Sequence, residues 1–186
     1  MACLKSKLQL RTWKRDSFFI STDPNLFSPS RLKEVFDSDD FYWANSVSSE
    51  AFREMIDNSL AFGVYEEPHP DNTTSELNLV GIARCVTDFV TFAYLTDVWV
   101  DPKQQGKGLG SWLVRCIREV LDEMPNLRRT ILFTGDWERS VPFYEKLLDM
   151  SLMEAKRGEG LAVMEVKGRG HPSYGQTGTG YNSKDN

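Results

Sequence analysis

Phe92-Ala-Tyr-Leu-Thr-Asp-Val-Trp-Val100 runs directly into Asp101-Pro-Lys-Gln-Gln-Gly-Lys-Gly-Leu-Gly110. The first nine residues are apolar, aromatic and β-branched, which predicts a strand. Asp101-Pro102 ends it, because proline cannot donate to a ladder. From Leu109 the apolar residues fall at Leu113, Cys116, Ile117, Val120, Leu121 and Met124, a helical spacing that Pro125 closes. Between strand and helix lies Gln105 to Gly110. Its glycines leave backbone amides unscreened, and the helix N-terminus adds partial positive charge at the same place. That combination makes a cradle for a pyrophosphate, with Lys107 able to add a charge contact.

Two common phosphate-binding patterns do not fit this loop. A P-loop needs Ser or Thr after its lysine, and Gly108 follows Lys107. A dinucleotide fingerprint needs a third glycine where Ser111 stands, and it opens a domain rather than coming this late in one. What remains is Gln-x-x-Gly-x-Gly at Gln105, Gly108 and Gly110.

Working outward, Gln9 to Arg15 and Ser17 to Ser21 predict an N-terminal strand or hairpin. Ser28-Pro29 starts a helix that buries Leu32, Val35 and Phe36. A second helix is expected over Ser49 to Asn58, with Phe52, Met55 and Ile56 inward, and a strand over Leu60 to Tyr65. Glu66 to Asn78 reads as an exposed hairpin loop, and Leu79 to Thr87 as the strand before the quoted one. Thr130 to Thr134 is a strand, and Arg139 to Leu148 a helix. Leu152 to Ala155 and Leu161 to Lys167 form a last hairpin with Gly158 and Gly160 in its turn. The expected fold class is α/β (α+β): a mixed, mostly antiparallel sheet with helices on both faces, in one domain over residues 1–167. Residues 168–186, rich in Gly, Ser, Thr and Asn, are expected to be a disordered tail.

A chain of 186 residues is long enough for one well-filled core. Its formal net charge of -5 argues against a nucleic-acid partner and favours, weakly, a cationic or amine-bearing one. No apolar run approaches a membrane span, so no membrane partner is expected. Three scattered cysteines and two histidines give no zinc spacing, and the Asp37-Ser-Asp-Asp40 run lacks the ligands of a calcium loop, so no metal is expected. Reduced thiols point to a cytoplasmic protein.

With these residues in view, the sequence resembles the GNAT superfamily of acetyl-CoA-dependent N-acetyltransferases. The resemblance rests on Tyr94 to Val100, on the Gln105 to Gly110 loop, and on Ser140-Val-Pro-Phe-Tyr144. More narrowly, Phe19 to Asp23, Tyr42 to Ala44, Asn58 to Tyr65 and Gly81 to Asp88 are similar to a group of small GNAT proteins. Two departures stand out. Asp149-Met150 replaces a usual Gly-Phe, which is expected to alter a turn. Asp136-Trp-Glu-Arg139 replaces a shorter turn, which bears on the acceptor site.

The resemblance implies acetyl-CoA as acyl donor. Gln105, Gly106, Lys107, Gly108, Leu109, Gly110 and Ser111 would hold its pyrophosphate, and the backbone of Val98, Trp99 and Val100 its pantetheine arm. An amide near Val98 would polarise the thioester carbonyl. Tyr144 would be the acid for the departing thiolate, although its helical spacing beside Phe143 and Leu147 by itself favours a core tyrosine. Asp97 reads two ways, as a base for the incoming ammonium or as a structural carboxylate. Tyr42, Trp43, Phe89 and Trp137 are the aromatics expected around the acceptor. The acceptor itself is expected to be a primary amine of a small molecule, with a protein or peptide amine, or a non-catalytic acyl-CoA-binding role, as alternatives. Many proteins of this fold dimerise, which leaves a homodimer open.

Overall fold

The computed structural model describes residues 3–41, 43–67, 77–153, 162–167, 169 and 174–175. In chain order the elements are α1 (Leu4–Leu8), β1 (Thr12–Arg15), β2 (Phe18–Ser21), α2 (Pro29–Phe36), α3 (Ser49–Asp57), β3 (Leu60–Glu66), β4 (Asn78–Thr87) and β5 (Phe92–Val100). They continue with α4 (Leu109–Asp122), β6 (Arg129–Thr134), α5 (Ser140–Leu148), β7 (Ser151–Leu152) and β8 (Ala162–Lys167). The strands hydrogen-bond in the order β1-β2-β3-β4-β5-β6-β8-β7. The β5–β6 pair is parallel, whereas β1–β2, β2–β3, β3–β4, β6–β8 and β7–β8 are antiparallel. The mixed, mostly antiparallel sheet expected from the sequence is therefore present.

Two compact units divide the chain: Met1–Val86 with Asp97–Leu113, and Thr87–Thr96 with Val114–Asn186. The first is built on helices whose starts are written locally. Ser28 caps α2 by accepting the Arg31 amide, with Pro29 in the first turn, and Ser48 caps α3 by accepting the Ala51 amide. Leu32, Val35 and Phe36 of α2 and Phe52 and Ile56 of α3 are buried, with Met55 partly so. They pack with Phe41, Tyr65, Leu79, Ile82 and Trp99 in one cluster. Each such side chain contributes about 1.5–3 kcal/mol on burial.

The N-terminus differs from expectation. Ahead of the strand expected over Gln9 to Arg15 the chain forms the short helix α1, and the strand itself, β1, begins at Thr12. Tertiary contacts hold α1: Leu8 is fully buried, and its carbonyl accepts the Thr22 hydroxyl at 2.6 Å. A five-residue helix has too few hydrogen bonds to declare itself in sequence.

In the second unit, β6 and β8 pair from Arg129↔Lys167 to Thr134↔Ala162. The Arg129 guanidinium meets the buried Glu165 carboxylate at 2.8 Å. Asp149, at the end of α5, adopts a left-handed φ of 53°. The expected alteration of this turn is thus one of chemistry rather than conformation. Asp149 takes the backbone geometry that suits glycine, and its carboxylate binds Arg118 at 2.9 Å. Met150 beside it is buried. The β3–β4 pairing at Glu66↔Asn78 fits a hairpin, but most of its expected loop (68–76) lies outside the described residues. So do Ala155, Gly158 and Gly160 of the last hairpin, and most of the 168–186 tail.

Candidate active site

The loop after β5 is fixed in shape by its own residues and by a distant arginine. Asp101 caps a turn of 3-10 helix over Pro102–Gln104, accepting the Lys103 amide, and its own amide donates to the Val80 carbonyl at 2.9 Å. Gly106 and Gly108 then take φ of 82° and 70°, left-handed values that cost other L-residues on the order of 1 kcal/mol each. Arg15, in the β1–β2 hairpin, donates to the Lys107 carbonyl at 2.9 Å and the Gly108 carbonyl at 3.4 Å. Its guanidinium also lies over the Trp112 ring, 4.6 Å from the centroid. Arg15 is a site residue that sequence reasoning missed, because nothing local marks a hairpin arginine as the partner of a loop more than 90 residues away.

With the carbonyls of the loop so engaged, its amides are left over. Among the described residues, no acceptor serves the amides from Gly106 to Ser111, whereas Gln105 N donates to the Pro102 carbonyl. Gly108 accepts the first helical hydrogen bond from Trp112, so the Leu109, Gly110 and Ser111 amides are the open first turn of α4. Alternating left-handed residues ahead of a helix N-terminus make a concave anion site. The Lys107 ammonium donates to Gln104 Oε1 and stands over the Phe18 ring.

Upstream in the same strand, Asp97 interrupts β5 with a φ of 54°. Its carboxylate, 7% exposed, accepts Arg84 Nε at 2.8 Å, and the arginine side chain is only 16% exposed. Arg84 was not singled out from the sequence. The available signal was an arginine set among Val80, Gly81, Ile82, Ala83 and Cys85, an apolar run in which a charge needs a partner.

A model of the Acetyltransferase (GNAT) family matches residues 25–150. The chain belongs to the GNAT acetyltransferase family. A relative from Gibberella zeae that carries an acetyltransferase name is 31% identical over 170 residues, covering 87% of this chain and 96% of that one. The thialysine N-epsilon-acetyltransferase of Bos taurus is 36% identical over 84 residues, 41% of this chain and 48% of that one. Among solved structures, a GNAT-family protein of Xanthomonas campestris superposes with a TM-score of 0.55 at 28% identity, over 70% of this chain and 84% of that one. The Vibrio cholerae spermidine N-acetyltransferase, solved with CoA and spermine, gives 0.56 at 14% identity, over 82% and 96%, a likeness of fold. This GNAT protein is therefore an enzyme, and its acyl donor is acetyl-CoA.

The loop of this GNAT enzyme fits that donor, since open amides and a helix N-terminus are what a pyrophosphate requires. Tyr144 lies on α5 in the second unit, 8% exposed, its ring edge-on to Phe143 at 5.1 Å. Burial pushes its phenol above the ordinary value, and its hydroxyl has no hydrogen-bond partner among the described residues. The aromatics expected around the acceptor fare unevenly. Trp43 is 43% exposed and tilted against Phe41. Phe89 is buried in the β4–β5 turn with a φ of 60°. Trp137 is half-buried in the turn before α5, where the Asp136 carboxylate accepts the Arg139 amide. Tyr42 lies outside the described residues. Among the described residues no helix is long and apolar enough to cross a membrane.

Proposed function

We propose that this enzyme transfers acetyl from acetyl-CoA to a primary amine of a small molecule. The observation that carries the reading is the run of amides from Gly106 to Ser111 without acceptors among the described residues, in a loop whose Lys107 and Gly108 carbonyls Arg15 already engages. The choice of acceptor is supported by the net charge of -5, which favours cationic partners, and by the thialysine and spermidine in the names of two similar proteins.

Acetyl-CoA supplies the acetyl group already activated as a thioester. The chain's own tasks are to hold the donor, to polarise its carbonyl and to return a proton. Gln105 to Ser111 would hold the pyrophosphate and the backbone of Val98, Trp99 and Val100 the pantetheine arm, with an amide near Val98 to polarise the thioester carbonyl. Tyr144 protonates the departing sulfur. Its raised pKa keeps the phenol protonated at any physiological pH, and the transfer is favourable only to a thiolate formed in equally dry surroundings.

The test is titration of the purified protein with acetyl-CoA, then a thiol-release assay across small amines and amine-bearing peptides. Micromolar binding with release on a small amine supports the reading, and release only on peptides overturns the choice of acceptor. Tyr144→Phe is expected to lower kcat by a factor on the order of 100 or more while acetyl-CoA affinity stays within about threefold. An unchanged kcat would remove Tyr144 from the mechanism.

A further inference from the structure

Asp97 is an anomaly of backbone as well as of charge. It sits in the middle of β5 in a buried row with Leu95 and Trp99, yet its φ is 54°. A left-handed residue inside a strand is the conformation of a β-bulge, which throws the following residues out of the regular ladder. Outside glycine it persists only where the surroundings over-determine it. Here the neighbouring strand β4 supplies the determinant: Arg84 Nε donates to Asp97 Oδ2 at 2.8 Å, both side chains largely removed from water.

We infer that Asp97 and Arg84 are a positioning pair whose task is to hold this bulge, and that the Asp97 carboxylate is not the proton acceptor of the reaction. Asp97 Oδ2 is already engaged by Arg84 Nε where both side chains are largely removed from water, and taking the carboxylate away would leave the guanidinium's charge buried. Its chemistry is spent on a backbone angle. The bulge in turn sets where the amides and carbonyls of Val98 to Val100 point. The inference rests on the proposed reading that this backbone lies along the pantetheine arm.

The decisive comparison is between two double variants that remove both charges and differ only at the left-handed position. R84M/D97G carries a residue at home at that φ, and R84M/D97A carries one that resists it. The glycine variant is expected to bind CoA within about threefold of the unmodified protein and keep kcat within roughly tenfold, whereas the alanine variant weakens CoA at least about tenfold and lowers kcat on the order of a hundredfold. Equal loss in both would overturn the inference, because the carboxylate itself would then be required. Equal retention would overturn it too, because the bulge would not matter. If thermal melts show that the alanine variant is not folded, R84Q/D97N is read by itself against the unmodified protein: asparagine tolerates the left-handed region, so CoA affinity is retained, and loss of that affinity in the folded variant sinks the pair. CoA affinity is read without turnover. Failure of the unmodified enzyme to release thiol on any amine therefore counts against the proposed reaction and leaves the pair to be judged by affinity. An unmodified protein that binds no CoA overturns both.

Discussion

β5 is entered through one tight turn and left through another, and the two treat their amides in opposite ways. At the entrance, the Asp88 carboxylate accepts the amides of Val90, Thr91 and Phe92 and the Thr91 hydroxyl. Thr87 Oγ1 accepts the Phe89 amide, so even the left-handed Phe89 has its donor satisfied. At the exit, Gly106 and Gly108 adopt similar left-handed angles, but the amides from Gly106 to Ser111 meet no acceptor among the described residues. One turn carries its own anion. The other, on the proposed reading, receives an anion that comes from outside. Backbone conformation alone does not separate a structural turn from a binding turn; the destination of the amides does.

Gly108→Val is the heaviest blow to this contrast. A β-branched residue is strained at φ 70°, and its Cβ would stand 4.0 Å from the Arg15 guanidinium that holds the loop, so CoA affinity should fall by about a hundredfold or more in a calorimetric titration. Retained affinity would show that the anion binds elsewhere. Arg15→Met asks whether the exit loop is held open from behind. It removes the donors to the Lys107 and Gly108 carbonyls and leaves those residues in place, so CoA affinity should weaken by roughly three- to tenfold with little change in kcat.

Asp88→Asn addresses the entrance and should leave CoA affinity untouched. By analogy with the loss of a capping carboxylate, it should cost about 1 kcal/mol of stability in a denaturant melt. What little desolvation Asp88 suffers opposes its charge, but the hydrogen bonds from the Thr91 side chain and the Thr91, Val90 and Phe92 amides outweigh it and hold the pKa below the usual carboxylate range. Because the folded value is depressed, this stabilisation is complete above the unfolded value near 4 and is lost as pH falls below it. The unmodified protein and D88N should therefore converge in stability under acid. A gap that persists at low pH would show that the carboxylate's charge is not what stitches the turn.

The elements legible in sequence were those whose signals are local. Ser28-Pro29 announces α2, and the Leu109 to Met124 spacing announces α4, because cap and amphipathic face lie within a few residues. The Gln105 to Gly110 loop was legible for the same reason. The environment of Phe89 was not: its segment flanks the central strand, but only the Thr87 and Asp88 hydrogen bonds reveal that it is a buried turn residue. Arg15 and Arg84 were missed because their partners are chosen by strand neighbours and tertiary folding, which spacing does not encode. Asp97 could be noticed as a carboxylate but not as a left-handed residue, since backbone angle leaves no mark on an aspartate codon as it does on a glycine.

The grip of Arg15 on the Lys107 and Gly108 carbonyls also bears on the speed of binding. A loop that had to find its shape around an arriving pyrophosphate would show a slow, saturating step after encounter. Here the arrangement exists beforehand, secured by an arginine that is itself stacked on Trp112. Capture of CoA should then be a single bimolecular event whose observed rate climbs linearly with ligand concentration, and the duration of the complex should rest on how fast the ligand leaves.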